Sequence, residues 1–529
     1  MYCGFDAIGF AALGEAPGNR IVMAGAATVT VDWAVTLYAG RHEYISRPSD
    51  SPVSQLFLGT LEKAYRIERS VLSGNHIGEQ ITIGLGEVTL YNKEGDYDFL
   101  AVDHTAQGQA IELKMGDRRK PLRTWRTVLK GFMTVAAVDR DKVTFTLRDA
   151  GYQLDVAVSS NVYAGTGGVE GTEDLLGRRK PKWFGWVKEV AAPLVMPSDL
   201  TYQLNDGPIH QVQSCHVRGV DLTFSADYLT VEALNAATLS IGYYATCLAH
   251  GFARIAVGSG SEIGQVTWDF AGDKAGGVFV ETTADIVRRM LSVTTVEDPA
   301  GLVTASFEAL NDAQAAPVGY GVAVGSDETV AVAVGRLMAA IGGWCGAKRT
   351  GRFEVRRLED PANGASSGSY DRTNTGEQLQ TVPMPSDLSP PPWRIRVGWG
   401  RVWTPGQTDL AGSVSEERRA FLAQEVRYAV AESESVRADF PPGHEWTKPE
   451  TFFRDESDAQ AEADRLGELF WPARVLYEVP LAVNLPTHEL GQVVTLQFKG
   501  RFNLDTDRKM AIVRVTDDDQ AGTTLTVWG

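Results

Sequence analysis

Cysteine is scarce in this 529-residue chain: Cys3, Cys215, Cys247 and Cys345 are the four present. None are spaced as CxxC, which argues against a disulfide framework or a zinc site, and they read as buried free thiols. The same scatter speaks against an iron–sulfur cluster, whose ligands must be gathered in one place. No run approaches the ~18 apolar residues of a membrane span, and the first residues lack the basic and apolar blocks of a signal peptide. No stable membrane insertion is expected, and the product is expected to stay in the cytosol. Positive charge is also short: 50 Lys and Arg stand against 67 Asp and Glu, a formal net charge of -17. That balance disfavours a sequence-independent grip on DNA, which depends on cations neutralising phosphates. No base-reading motif suggests sequence-specific nucleic-acid binding either. Among catalytic signatures, GxSxG, a P-loop, a complete GxGxxG and HExxH are all missing. Ser73-Gly74-Asn75-His76 spells an esterase nickname whose residues come from four separate sequence blocks, so it is a coincidence.

What is present suits a folded, mainly β chain. A hydrophobic content of 43% supports packed cores, and the length suits three to four domains. Residues 1–28 are rich in Gly and Ala, with Phe5, Ile8, Phe10 and Leu13 the main large apolar side chains; they read as an arm that orders against a neighbour. Val29, Val31, Trp33, Val35 and Leu37 alternate as on one half-buried strand. Further strands are expected at 87–91, 127–138 and 142–147, the last two joined by the turn Asp139-Arg140-Asp141-Lys142. These make a first β-barrel or sandwich over 29–159. A peripheral β domain is expected over 160–240 and a peripheral α+β block with a linker over 241–384. Within that block Thr282 caps a helix carrying Ile286, Val287, Met290 and Leu291, and a second helix spans 328–341 before Gly342-Gly343. Strand returns at 352–358. Residues 359–392 read as a linker ending in three prolines. The last domain, 385–529, holds a strand at 394–403, helices near 414–431 and 457–470, and closing strands around a turn at 517–522.

Chemistry-bearing residues give bland readings. The glycine-rich stretch 165–171, the basic run Arg178-Arg179-Lys180-Pro181-Lys182, Trp183 and Trp186 read as a loop packed on its own protein, ahead of a nucleic-acid contact. His210 and His216 could share a strand face with Cys215 opposite, a poor arrangement for one metal. Acidic groups at 94–98, 505–507 and 517–519 lack the calcium-loop template and read as solvated turns. No catalytic, cofactor-binding or metal residue is assigned. Two carboxylates at glycosidase spacing remain compatible with any acid-rich chain.

Four segments carry a family resemblance: 241–272, closing in Gly264-Gln265-Val266-Thr267-Trp268-Asp269-Phe270-Ala271-Gly272; Phe57-Leu58-Gly59-Thr60-Leu61; Gly86-Glu87-Val88-Thr89-Leu90 through Gly95; and Leu525-Thr526-Val527-Trp528-Gly529. Together they resemble the baseplate or tail-tip hub proteins of long-tailed bacteriophages and related gene-transfer particles. The resemblance implies two tube-like β-barrel domains, first and last, plus peripheral domains. It implies a homotrimer whose six barrels form a pseudo-sixfold ring around the DNA exit channel, at the virion tail tip, assembled in the bacterial host cytoplasm. Implied partners are a distal tail protein, the tape-measure protein and tail fibre or spike proteins; no enzyme activity or cofactor is implied. A short echo between Gly86–Leu90 and Gly491–Leu496 agrees with related end domains. The alternatives are a distal tail protein, a receptor-binding tail protein or a peptidoglycan-degrading tail enzyme.

Overall fold

The computed structural model describes residues 23–31, 35–101, 107–258, 263–296, 300–375, 379–406, 408–441, 443–482, 487–500 and 504–529, with 23–31, 35–36, 79–80, 135 and 449 described in backbone alone. Phe5, Ile8, Phe10 and Leu13 of the expected arm lie outside the described residues, as do Cys3 and Trp33.

The chain is mainly β and multi-domain, with two half-barrel sheets and several smaller peripheral sheets. The first half-barrel has seven strands in the order Val35–Gly40, Met23–Val31, Ala110–Asp117, Arg126–Val138, Lys142–Arg148, Glu87–Tyr91 and Leu61–Lys63. Its inner face is a core of alternating apolar side chains that includes Val88, Leu90, Ile111, Leu113, Val128, Val143 and Phe145, as period-2 patterning requires. The single strand expected from Val29 to Leu37 is instead two antiparallel strands, with Val31 opposite Val35 and Val29 opposite Leu37. Alternation with an even offset persists across such a reversal, which is why the pattern concealed it. Strand structure also begins at Met23, inside the expected arm.

The second half-barrel runs Ser366–Tyr370, Val493–Phe498, Leu504–Asp518, Gly522–Trp528, Leu476–Pro480 and Gln380–Val382. Two of these strands come from the stretch expected to be a linker. They occupy the sheet edges, where short strands are tolerated because one side needs no partner. Both ends of the echo are strands, Glu87–Tyr91 and Val493–Phe498, one in each half-barrel.

Between the half-barrels, the strand order Val220–Asp221, Ile209–Val217, Val266–Asp273, Lys182–Val190 and Gly319–Val322 forms one sheet, and Leu194–Met196, Thr201–Gln203, Phe252–Ile255, Tyr243–Cys247 and Thr223–Asp227 form another. Both take strands from either side of residue 240, across the boundary expected from sequence. The expected helices appear as Thr283–Leu291 and Val330–Ala340. The Thr282 and Thr329 hydroxyls accept the N–H of Asp285 and Val332, satisfying orphan donors of the first turn. Helix Glu456–Phe470 buries Ala459, Ala463, Leu466 and Phe470 as its spacing requires. The helix expected over 414–431 is shorter, Glu416–Ala423, and is followed by the strand Arg427–Glu432. There Ala429 and Ala431 are buried opposite Val397 and Ile395, so sheet pairing overrides helix propensity. The strand expected to reach Trp403 ends at Trp399.

Candidate functional site

Three of the four cations of the basic run are ion-paired within the chain. Arg179 pairs with Asp327 at 2.8 Å, Lys180 with Glu170 at 2.9 Å and Lys182 with Asp273 at 2.6 Å. Trp183 is buried, and the Trp186 indole N–H donates to Glu281 at 2.7 Å. Cations and aromatics that would have to face a nucleic acid instead hold the 160–185 loop against its own sheets.

His210 and His216 do not share a face. The register of Ile209–Val217 against Val266–Asp273 shifts between Val212 and Ser214, and such a bulge flips every later side chain. His210 stacks on Phe279, ring centroids 4.5 Å apart, and burial followed by the Lys274 charge holds its imidazole below the usual value. His216 enters a buried charged cluster that sequence reasoning missed. Its Nδ1 lies 3.2 Å from Glu189 Oε1 and its Nε2 lies 3.0 Å from Asp221 Oδ1. Glu189 sits at φ +54, a conformation unusual for a residue with a side chain. Its N–H donates to Asp269 Oδ1 at 2.7 Å, and its carboxylate accepts from the Thr267 hydroxyl at 2.7 Å. Burial, then the Glu189 charge, pushes the Asp269 carboxyl up.

Glu189, His216 and Asp269 bring ligand-type atoms within 4.8 Å of one another, the donor set of a divalent metal. The arrangement is already served by a cation of the protein. Arg418, from helix Glu416–Ala423, pairs with Glu189 and places Nη2 3.2 Å from His216 Nε2. The cluster is therefore best read as an ion-pair clamp holding that helix to the peripheral sheet.

A second buried network joins the two half-barrels. The hairpin of Arg66–Leu72 and Ile77–Leu85 leaves the first domain, and its first strand pairs with Leu504–Asp518 of the last, Ser70 opposite Arg514 and Arg66 opposite Asp518. Beneath it Arg69 pairs with Glu489, and Arg349 pairs with Asp517 at 2.5 Å while donating to the His488 carbonyl at 2.9 Å. Asp517 also accepts from the Thr523 hydroxyl at 2.8 Å. The Arg69 guanidinium is pushed down by burial and then by the Arg349 charge. Asp517, expected as a solvated turn residue, is fully buried: the strand that carries it runs on to Asp518, and the turn expected at 517–522 occupies 519–521.

Two clefts have volumes of about 640 Å³ each. The first is lined by Glu354, Glu359 and Asp360. All three are ion-paired, to Arg356 at 3.2 Å, Arg357 at 2.6 Å and Arg474 at 2.8 Å. Burial opposes ionisation of Asp360, yet Arg474 and the Ala362 N–H hold its carboxyl below the usual range, the reverse of what a glycosidase acid needs. The second cleft holds Asp149, Cys345 and Glu450. Burial pushes the Asp149 carboxyl up and the Cys345 thiol up to about 12, which leaves that thiol protonated and unreactive. Cys215 and Cys247 lie in separate apolar clusters, and burial raises both thiols as well. The described residues contain no helix long and apolar enough to cross a membrane.

No protein-family model matches the chain, and no curated protein does. Among solved structures it is similar to the tail protein from Neisseria meningitidis MC58, at 8% identity over 96% of this chain and 95% of that one, with a TM-score of 0.40. It is similar to the 43 kDa tail protein of prophage MuSo2 from Shewanella oneidensis, at 10% identity over 95% of this chain and 97% of that one, TM-score 0.40. A chain of the virion of a native gene transfer agent particle is similar at 15% identity over 72% of this chain and 91% of that one, TM-score 0.41.

Proposed function

We propose that this chain is a structural part of a bacteriophage-type tail, and within it the hub of the tail tip. In this reading three copies close a ring in which the domains 29–159 and 385–529 alternate, six half-barrels in all, around the DNA exit channel. The ring meets a distal tail protein and the tape-measure protein on the tube side and fibres or a spike on the other. A pseudo-sixfold ring of three chains reconciles a sixfold tube with a threefold or single appendage.

The observation that carries this reading is the shared hairpin. Because Arg66–Leu72 is a strand of the last domain's sheet, the two half-barrels are fixed side by side in one copy, as neighbouring members of a ring must be. The resemblance in the 86–95 and 525–529 segments falls on strands of those two sheets. The clefts contribute ion-paired or isolated acids rather than an assembled acid–base pair. Electron microscopy of the assembled particle tip tests the proposal. Three copies per ring support it, whereas six copies around the ring support a distal tail protein.

A further inference from the structure

Two β-bulges converge on one face of the peripheral sheet. In the strand Lys182–Val190, Val187 lies opposite Phe270 and Val190 opposite Trp268, so Lys188 and Glu189 share the span that Asp269 fills alone. In the strand Ile209–Val217, the shift between Val212 and Ser214 sets Cys215 opposite Trp268 and His216 opposite Thr267. Val187, Val190, Cys215, Trp268 and Phe270 then belong to the core on one side, while Glu189, His216, Thr267 and Asp269 meet on the other. Bulges re-aim single side chains in this way next to functional sites.

The gathered side chains are oriented as metal ligands are. His216 is 3% exposed, and its Nδ1 makes no hydrogen bond among the described residues although Glu189 Oε1 is 3.2 Å away. Two atoms bound side by side at ~2.1 Å from one ion lie about 3.0–3.4 Å apart, so the spacing suits an ion better than the hydrogen bond it fails to make. The remaining polar atoms are supported from behind. The Thr267 hydroxyl donates to Glu189 Oε2, the Glu189 N–H donates to Asp269 Oδ1, and Asp221 Oδ1 lies 3.0 Å from His216 Nε2. A carboxylate on the far nitrogen is the common outer support of a metal-binding histidine. Arg418 Nη2 lies 3.2 Å from that same Nε2, which can accept from Arg418 or donate to Asp221 but not both at once. The ring therefore has two tautomers, and the one that donates to Asp221 leaves a lone pair on Nδ1 beside Glu189. Arg418 also brings a single positive charge to two carboxylates, Glu189 and Asp269, where a divalent ion balances both.

We infer that Glu189, His216 and Asp269 form a binding site for a divalent ion of the zinc class, which takes the place of the Arg418 guanidinium. The ligands are His216 Nδ1 and one oxygen of each carboxylate, with water completing the set. The clamp and the ion are alternative cations for one cluster. Helix Glu416–Ala423 buries Leu422 and is otherwise exposed or half-buried; it is pinned through Arg418 in the first state and loses that ion pair in the second. The site is thus a metal-operated release for the helix.

The test titrates Zn²⁺ into the full chain by calorimetry, for the wild type, Arg418→Met, and Arg418→Met combined with His216→Gln or with Asp221→Asn. Expected are one ion per chain bound at least tenfold more tightly by Arg418→Met than by the wild type, loss of that binding with His216→Gln, and about tenfold weaker binding with Asp221→Asn. Co²⁺ in place of Zn²⁺ is expected to give an absorption spectrum of nitrogen and oxygen ligands without a thiolate charge-transfer band. Amide exchange of the wild type at 416–423 is expected to rise at saturating Zn²⁺. Arg418→Met that binds no stoichiometric ion, binding that survives His216→Gln, or a thiolate band overturns the site. Should His216→Gln fail to fold, Asp221→Asn decides, and unchanged affinity in that variant overturns the site. Saturation of the wild type with no change in exchange at 416–423 overturns the replacement of Arg418.

Discussion

Gly185 and Gly319 face each other across the strands Lys182–Val190 and Gly319–Val322, and each is where the other backbone comes closest. A Cβ on Gly185, which also has φ +62, would lie 1.9 Å from the Val318 carbonyl oxygen, and one on Gly319 would lie 1.7 Å from that of Trp186. Gly185→Ala must therefore part the two strands. Its expected cost exceeds the ~1 kcal/mol of an ordinary glycine replacement several times over, measured as a lower urea midpoint, whereas Gly335→Ala on an open helix face is expected to be neutral or stabilising. Asp50 carries a second residue-level expectation. Burial alone would raise its carboxyl, but three backbone N–H groups and Arg123 outweigh it and hold it below the usual range. A folded value below the unfolded one means stabilisation present above about pH 4 and lost as pH falls through the folded value. Amide exchange at 118–125, corrected for intrinsic rates, is expected to rise at pH 3 relative to pH 6, and in Asp50→Asn to be high at both. Some of this scale was legible in advance: Thr282 has the spacing of a helix cap, and it caps. The His216 cluster was not, because a single bulged residue near 213 reverses the face on which later side chains fall, and Arg418 arrives from 202 residues away.

At the scale of elements, helical periodicity was legible, whereas strand alternation concealed the reversal between Val31 and Val35 and tertiary pairings left little trace. The helix Glu456–Phe470 announces itself through acids in its first turn, a buried apolar stripe and Pro472 beyond its end. The strand Arg427–Glu432 and the edge strands Ser366–Tyr370 and Gln380–Val382 have little local signal, since their structure comes from the sheet they join. The bridging hairpin was equally hidden. Nothing in Arg66–Leu72 discloses that its partner lies beyond residue 500. Its ion pairs make it testable. Glu489→Gln leaves Arg69 buried with a diminished partner, and losing one member of such a buried pair costs about 3–5 kcal/mol. Replacing Arg69 and Glu489 together with Met and Leu is expected to cost less than the single change, as judged by urea unfolding. Because the pair is buried, raising salt should alter the difference little.

For the whole molecule the composition was informative from the start. A mainly β chain with two half-barrels at its ends matches the expectation from the resembling segments, although the peripheral strands interleave across residue 240. The structural reading also predicts chemistry that fails to occur. Zymography on host peptidoglycan is expected to show no clearing, and Asp149→Asn/Glu450→Gln is expected to change nothing. Cleared bands that vanish in that double variant would instead make the second cleft an active site. In the proposed assembly three copies of this chain make one ring. A symmetry-free electron-microscopy reconstruction of the particle tip measures it most directly. The expected map shows three copies whose 29–159 and 385–529 domains alternate as six half-barrels around the channel; a ring of six copies, or a tip in which these domains do not meet between copies, would contradict it.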